Sequence, residues 1–267
     1  MVKNLKSKCF SFIEKFYMGI IFIFLYAPIV TLIVLSFNDT KSRAIWGGFT
    51  LKWYKSLFND PSLMSALYTT LIIATLAAII STVIGTLAAF GIHHSKKSFK
   101  SLMMNITYIP VLNPDIVTGI ALMLFFLLIG MHFGFLTILL AHITFCIPYV
   151  ILSVLPKLKQ LNKHTFEAAL DLGAKPIHAF FKVIVPEILP GIITGFLLAF
   201  TLSLDDFVIT YFVKGAGVDT LAVKIYAQVR LGIKPEIYAL SSLMMVSVLL
   251  LLLIVNKRTK VKQAKYQ

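Results

Sequence analysis

Six apolar runs, each long enough to cross a bilayer as a helix, dominate this sequence: 16–37, 67–92, 102–129, 133–155, 188–212 and 237–255. A helix needs about 20 such residues to span the hydrocarbon core of a membrane. Inside that core no water satisfies backbone N–H and C=O groups, so only helices and closed barrels can cross it. Barrel strands would appear as short alternating segments, and none occur. Only 13% of the residues are charged and 58% are hydrophobic, against about 25% charged in soluble domains. The expected fold is an all-α membrane protein of six transmembrane helices, built as a single transmembrane domain over 1–267.

Charge sets the expected orientation. Lys3, Lys6, Lys8 and Lys15 precede the first run, as they would in a signal peptide. That run is too long for one, and no small-residue cleavage site follows Phe37, so it reads as a retained span. With a cytoplasmic N-terminus, the inner segments are 1–15, 93–101, 156–187 and 256–267. They carry 17 of the 25 Lys and Arg, while 38–66 and 213–236 carry four each. The positive-inside rule then puts both termini in the cytoplasm. The net charge of +14 is mostly this topology signal, and no folded basic domain is left to bind nucleic acid. Cys9 and Cys146 fit no metal or disulfide spacing.

The longest cytoplasmic segment, 156–187, is expected to hold a short polar helix. Asn162 or Thr165 can cap it, Glu167 and Asp171 share a face four residues apart, and Gly173 suits its C-terminal stop. Ala168 and Ala169 keep it narrow enough for a partner to approach. Pro176 suits the first turn of a second short helix. Two readings stand at this level: a handle for a soluble partner, or an amphipathic helix lying on lipid. Outside, Trp53, Tyr54, Leu57 and Phe58 form the apolar face of a helix within 50–60. Trp46 and Trp53 are expected either as interfacial anchors or, for one of them, at a pore mouth against a cation. A further external helix is expected over 220–230, ending at Gly232.

Only the third and fifth runs contain charges. Asp115 follows Asn113-Pro114, where proline weakens the helix; broken helices within membranes line cavities. Asp205 and Asp206 are adjacent and point about 100° apart on a helix. One is expected to face a pathway and the other to bond a neighbouring helix or loop. A carboxylate near the bilayer centre costs on the order of 3 kcal/mol on insertion scales, so it turns to a bundle interior or a wet cavity. The spans contain no Arg or Lys, so a pathway lined this way favours an organic cation over an anion. His142, within the fourth run, is expected to hydrogen-bond a neighbour. Gly191 and Gly195 form a small-xxx-small pattern for close helix packing, possible across a subunit boundary.

No phosphate-binding G-x-x-x-x-G-K-[ST] stretch, H-E-x-x-H or G-x-S-x-G occurs. No catalytic residue and no metal site are therefore expected, and ATP hydrolysis would have to come from elsewhere. An autonomous secondary carrier would show an inverted repeat, and none is evident.

Glu167-Ala168-Ala169, Gly173 and Pro186 stand in the register of the EAA loop of ABC-importer permeases, with Val183 and Val185 in place of the usual Ile and Leu. Residues 113–117, 142–148, 200–206, 221–226 and 232–236 resemble the C-type permeases of spermidine/putrescine importers, although sister permeases for other organic solutes share parts of them. The resemblance covers nearly the whole chain. It implies a type I importer fold in the bacterial plasma (inner) membrane and a complex with an ABC ATPase homodimer, which binds the ATP and Mg, and a second, related permease. It also implies a periplasmic or extracellular polyamine-binding protein. Glu167, Ala168, Ala169, Asp171 and Gly173 would then form the coupling helix. Asp115, Asp205 and Asp206 would offer charge to ammonium groups, with Trp53 and Glu236 near the outer gate.

Overall fold

The computed structural model describes the backbone of residues 2–162 and 164–263, and the side chains of residues 15–162, 164–230 and 232–249. Among these residues the chain is helical, apart from one antiparallel bridge between Asn38 and Phe49. The helices are α1 (Val2–Ser36), α2 (Lys52–Phe58), α3 (Pro61–His94), α4 (Lys97–Leu112), α5 (Asp115–Leu128) and α6 (Phe135–Gln160). They continue with α7 (His164–Asp171), α8 (Pro176–Ala179), α9 (Val185–Asp205), α10 (Val208–Val213), α11 (Leu221–Leu231) and α12 (Pro235–Gln263).

Four of the described helices are long and apolar enough to cross a membrane, or five when α4 and α5 count as one bent span. That falls short of the six expected. The sixth run lies on α12, whose described apolar stretch, Pro235–Leu249, is shorter than a full span. The third run, 102–129, is no single helix. Asn113 and Pro114 are both extended, with ψ 140° and 139°, and the two halves meet at 106°. Proline disfavours the helical conformation at the residue before it and supplies no N–H of its own.

The fifth run is also redrawn. Its helix begins upstream of 188, at Pro176, and ends at Asp205, short of 212. Asp206 is extended (ψ 122°), and α10 follows as a separate helix. A π turn over Phe180–Ile184 joins α8 to α9, with the Val185 N–H bonded to the Phe180 carbonyl. Pro186 has no N–H for the carbonyl of Lys182 inside that turn, and widening into a π turn accommodates the loss. The fourth run, expected at 133–155, forms a helix that starts at Phe135 and reaches Gln160. The connection between these two long helices is therefore 161–175 rather than 156–187. Hydropathy marks where residues leave hydrocarbon, whereas backbone hydrogen bonding carries a helix further.

The chain divides into two compact units. One comprises the residues up to Met64 and from Gln228 onward; in it α1 and α2 pack against α12. Its segment after α1 is organised by the buried Asn38. The side chain donates to the Ile45 carbonyl (2.8 Å) and accepts from the Gly47 N–H (2.8 Å), while the Asn38 carbonyl accepts from Trp53 Nε1 (2.6 Å).

The other unit, Ser65–Ala227, holds the larger core. The glycine pattern at 191 and 195 serves contact within the chain: a Cβ on Gly191 would lie 3.0 Å from the Ser153 carbonyl, and one on Gly195 3.2 Å from Val150 Cα. These glycines let α9 approach α6, and Gly85 gives α3 the same approach to Val150. Ile73, Val150, Val154 and Ile188 fill the space between and are wholly buried.

Candidate functional site

Within the Ser65–Ala227 unit the structure brings three of the expected carboxylates together. Asp115 is the first residue of α5, exposed at the break after α4. A carboxylate is favoured there, since the unpaired N–H groups of a helix start carry partial positive charge. Asp205 ends α9 and is also exposed. Asp115 lies within electrostatic reach of both Asp205 and Tyr149.

Asp206 has a different setting. Its side chain is only 8% exposed, and it caps the first turn of α10 by accepting from the N–H groups of Ile209 (3.2 Å) and Thr210 (2.8 Å). The Thr210 hydroxyl donates to the same carboxylate at 2.7 Å. That commitment makes Thr210 Oγ1 an acceptor toward His142 Nε2 at 2.9 Å, so Nε2 is the donor in that bond. Nδ1 is left to pair with Ser203 Oγ at 2.6 Å. Four buried polar groups from α6, α9 and α10 thereby satisfy one another. Of the adjacent aspartates, Asp206 bonds its neighbours and Asp205 is exposed.

Sequence reasoning missed Ser203, Thr210 and Tyr149. A usable signal existed for Thr210: Asp206 is a cap-forming residue inside an apolar run, and Thr210 lies where the first turn of the capped helix places a donor. Nothing local points from His142 to Ser203, 61 residues away.

Trp53 and Glu236 lie in the other unit. Trp53 is buried, its N–H is used by Asn38, and the cation over its ring is Lys52, 4.6 Å from the centroid. Lys52 also pairs with Asp39. Glu236, in the first turn of α12, accepts a hydrogen bond from Ser56 of α2 at 3.1 Å.

The segment around α7 follows its expected local chemistry closely. Asn162 Oδ1 accepts from the His164 N–H (3.1 Å), as an N-terminal cap does. Gly173 takes φ +85°, its N–H bonds Leu170 (2.8 Å), and the Ala174 N–H bonds Ala169 (3.1 Å). That pair of bonds is the Schellman arrangement, which favours glycine at its left-handed position. One face of α7 stands on an aromatic cluster, Phe166 lying 5.6 Å from Phe90 and 5.7 Å from His94. The opposite face leaves Glu167, Ala168, Asp171 and Leu172 exposed, Leu172 at 89%. Glu167 touches His164 at 3.2 Å. The short capped helix thus presents two carboxylates, an alanine and, just past its end, an outward leucine.

In the loop after α10, Asp219 pairs with Lys214 and Lys224. Burial alone would push this carboxyl up; the hydrogen bond and charge of Lys214, reinforced by Lys224, outweigh it and hold it below the usual carboxylate range.

Residues 81–258 match the family described as binding-protein-dependent transport system inner membrane component. The spermidine/putrescine transport system permease protein PotC of Escherichia coli K12 is 38% identical over 248 residues, covering 91% of this chain and 94% of its own. The putrescine transport system permease protein PotI of the same organism is 41% identical over 235 residues, covering 84% and 82%. The fold is similar to a crystal structure of a bacterial ABC transporter involved in the import of the acidic polysaccharide alginate. The TM-score is 0.76, with 97% of each chain covered at 16% identity.

Proposed function

Because this chain belongs to the family of binding-protein-dependent transport system inner membrane components, and is thus a permease subunit of an ABC importer, we propose that it carries polyamines, spermidine or putrescine, across a bacterial inner membrane. The relatives named for those substrates, and two exposed carboxylates at helix breaks, support this reading. The observation that carries it is the placement of Asp115 and Asp205 at two helix breaks within reach of one another. Two like charges so placed repel, and a polyammonium chain between them relieves the repulsion while meeting carboxylates along its length. Asp206 keeps the α9–α10 break in shape through His142 and Thr210. Trp53 and Glu236 are assigned to the outer gate, where they fasten the neighbouring segments through Asn38 and Ser56.

In this proposal the chain spans the membrane six times with both termini in the cytoplasm. It pairs with a second, related permease above an ABC ATPase homodimer that binds ATP and Mg, and a periplasmic or extracellular binding protein delivers the polyamine. Glu167, Ala168, Ala169, Asp171 and Gly173 form the coupling helix, seated in the ATPase. Closure of the ATPases on ATP draws the helices together and turns the pathway outward; hydrolysis lets it relax inward. The test is ATP hydrolysis by the reconstituted complex with its binding protein, challenged in turn with spermidine, putrescine and an uncharged organic solute. Stimulation by the polyamines alone is the expected result. Stimulation by the uncharged solute alone would assign the chain to another small organic substrate.

A further inference from the structure

The hairpin between α3 and α4 carries a groove that the transport reading leaves unused. Gly91 and Ile92 of α3, Phe99, Met103 and Ile106 of α4 and Ile151 of α6 border it, with a volume of about 330 Å³. That is the lower end of the range for small-molecule pockets, roughly 300 Å³. Phe99, Met103 and Ile106 step along one side of α4 over about 10 Å, at 1.5 Å per residue. A Cβ on Gly91 would meet nothing within 4 Å, so that wall of the groove is open.

At the turn end of this apolar slot stand Lys96, Lys97 and Lys100, the first two exposed and the third half-buried. No ion pair to any of the three occurs among the described residues. A slot with greasy walls and an uncompensated positive mouth complements a molecule that is apolar along its length and anionic at one end. A helix from a protein partner would have no need of three like charges at the mouth, and a soluble anion would have no use for the slot.

We propose that this groove is a binding site for an anionic phospholipid, one acyl chain lying along Phe99, Met103 and Ile106 and the phosphate held by Lys96, Lys97 and Lys100. The proposal rests on the reading of this chain as a multi-pass membrane protein with residues 93–101 at the cytoplasmic surface. There, anionic headgroups are concentrated and lysines reach out to them along their aliphatic stems.

The experiment uses the complete transporter in nanodiscs of phosphatidylcholine containing a minority of phosphatidylglycerol, with bromine on the acyl chains of one lipid or the other. Phe99→Trp supplies the reporter, read as the fluorescence added over the parent complex. Brominated phosphatidylglycerol is expected to quench it with a relative affinity about tenfold above brominated phosphatidylcholine, on the scale of basic clusters at anionic membranes. With Lys96, Lys97 and Lys100 all changed to Gln, the preference falls to about one while quenching by both lipids persists. Gly91→Phe, which fills the slot, lowers quenching by both. Equal quenching by the two lipids with the lysines intact would overturn the proposal, as would absence of quenching by either, which would mean that protein covers the groove. The signal is lipid occupancy rather than transport, so either failure leaves the permease assignment standing.

Discussion

Replacing Asp205 and Asp206 by alanine, one at a time, separates charge in the pathway from the architecture that presents it. Asp206→Ala removes the acceptor for two α10 N–H groups, a cap worth about 1 kcal/mol. It also strips the buried Thr210 hydroxyl of its acceptor and unsettles His142; an orphaned buried polar group costs about 1–3 kcal/mol. Hydrogen bonds between membrane helices average lower, about 0.6 kcal/mol, so the lower half of the range applies and the sum is about 2–3 kcal/mol. At about 2–4 °C per kcal/mol for 150–250 residues, the Tm of the purified complex falls by about 4–12 °C. Asp205 is exposed at the end of α9, and its loss moves stability by no more than about 0.5 kcal/mol. Polyamine uptake into proteoliposomes nevertheless falls about tenfold in Asp205→Ala, the equivalent of about 1.4 kcal/mol of lost attraction for an ammonium group. Thermal unfolding and uptake measured on the same preparations decide the matter. The reasoning fails if Asp206→Ala leaves Tm unchanged, or if Asp205→Ala lowers it as far as Asp206→Ala does.

Three further outcomes are expected. Glu167→Lys reverses a charge on the exposed face of α7 with little effect on folding, within about 0.5 kcal/mol; the ATPase is lost on affinity purification and uptake stops, whereas full recovery of the ATPase with normal uptake would remove the coupling assignment. Gly85→Ala puts a methyl 2.7 Å from Val150 Cβ and Cγ1, and overpacking of this kind lowers stability by about 1–3 kcal/mol, read as a lower Tm. Asp219 is held below its ordinary carboxylate range by Lys214 and Lys224. Its contribution is therefore present above the unfolded value near about 4 and is lost as pH falls through the lower folded value. The gap in Tm between the parent and Asp219→Asn is open at neutral pH and closes in acid below about pH 4; a gap independent of pH would show that the ion pair is not its source.

The short helix after residue 162 was legible residue by residue because its determinants are local. Asn162 before the helix and Gly173 after it act through hydrogen bonds to backbone within a few positions, and their spacing alone announces them. Asn113-Pro114 likewise announced a weak point, since proline's restriction falls on its immediate neighbour, though the 106° bend depends on what α4 and α5 pack against. The ends of the spans were not legible. An apolar run records affinity for lipid and is blind to the hydrogen bonding that carries α6 to Gln160 and stops α9 at Asp205.

Sequence by itself determined that this chain crosses a membrane as helices, that a short capped helix follows the fourth apolar run, and that the charges within the apolar runs are carboxylates. Each follows from composition or from interactions within one turn. Only the tertiary structure decided which of two adjacent aspartates is open and which is tied, because His142, held between Ser203 and Thr210, reaches Asp206 from a separate helix, with up to 68 residues between partners. A cap can be read from its neighbours; a buried polar cluster exists only once the helices that carry its members have packed.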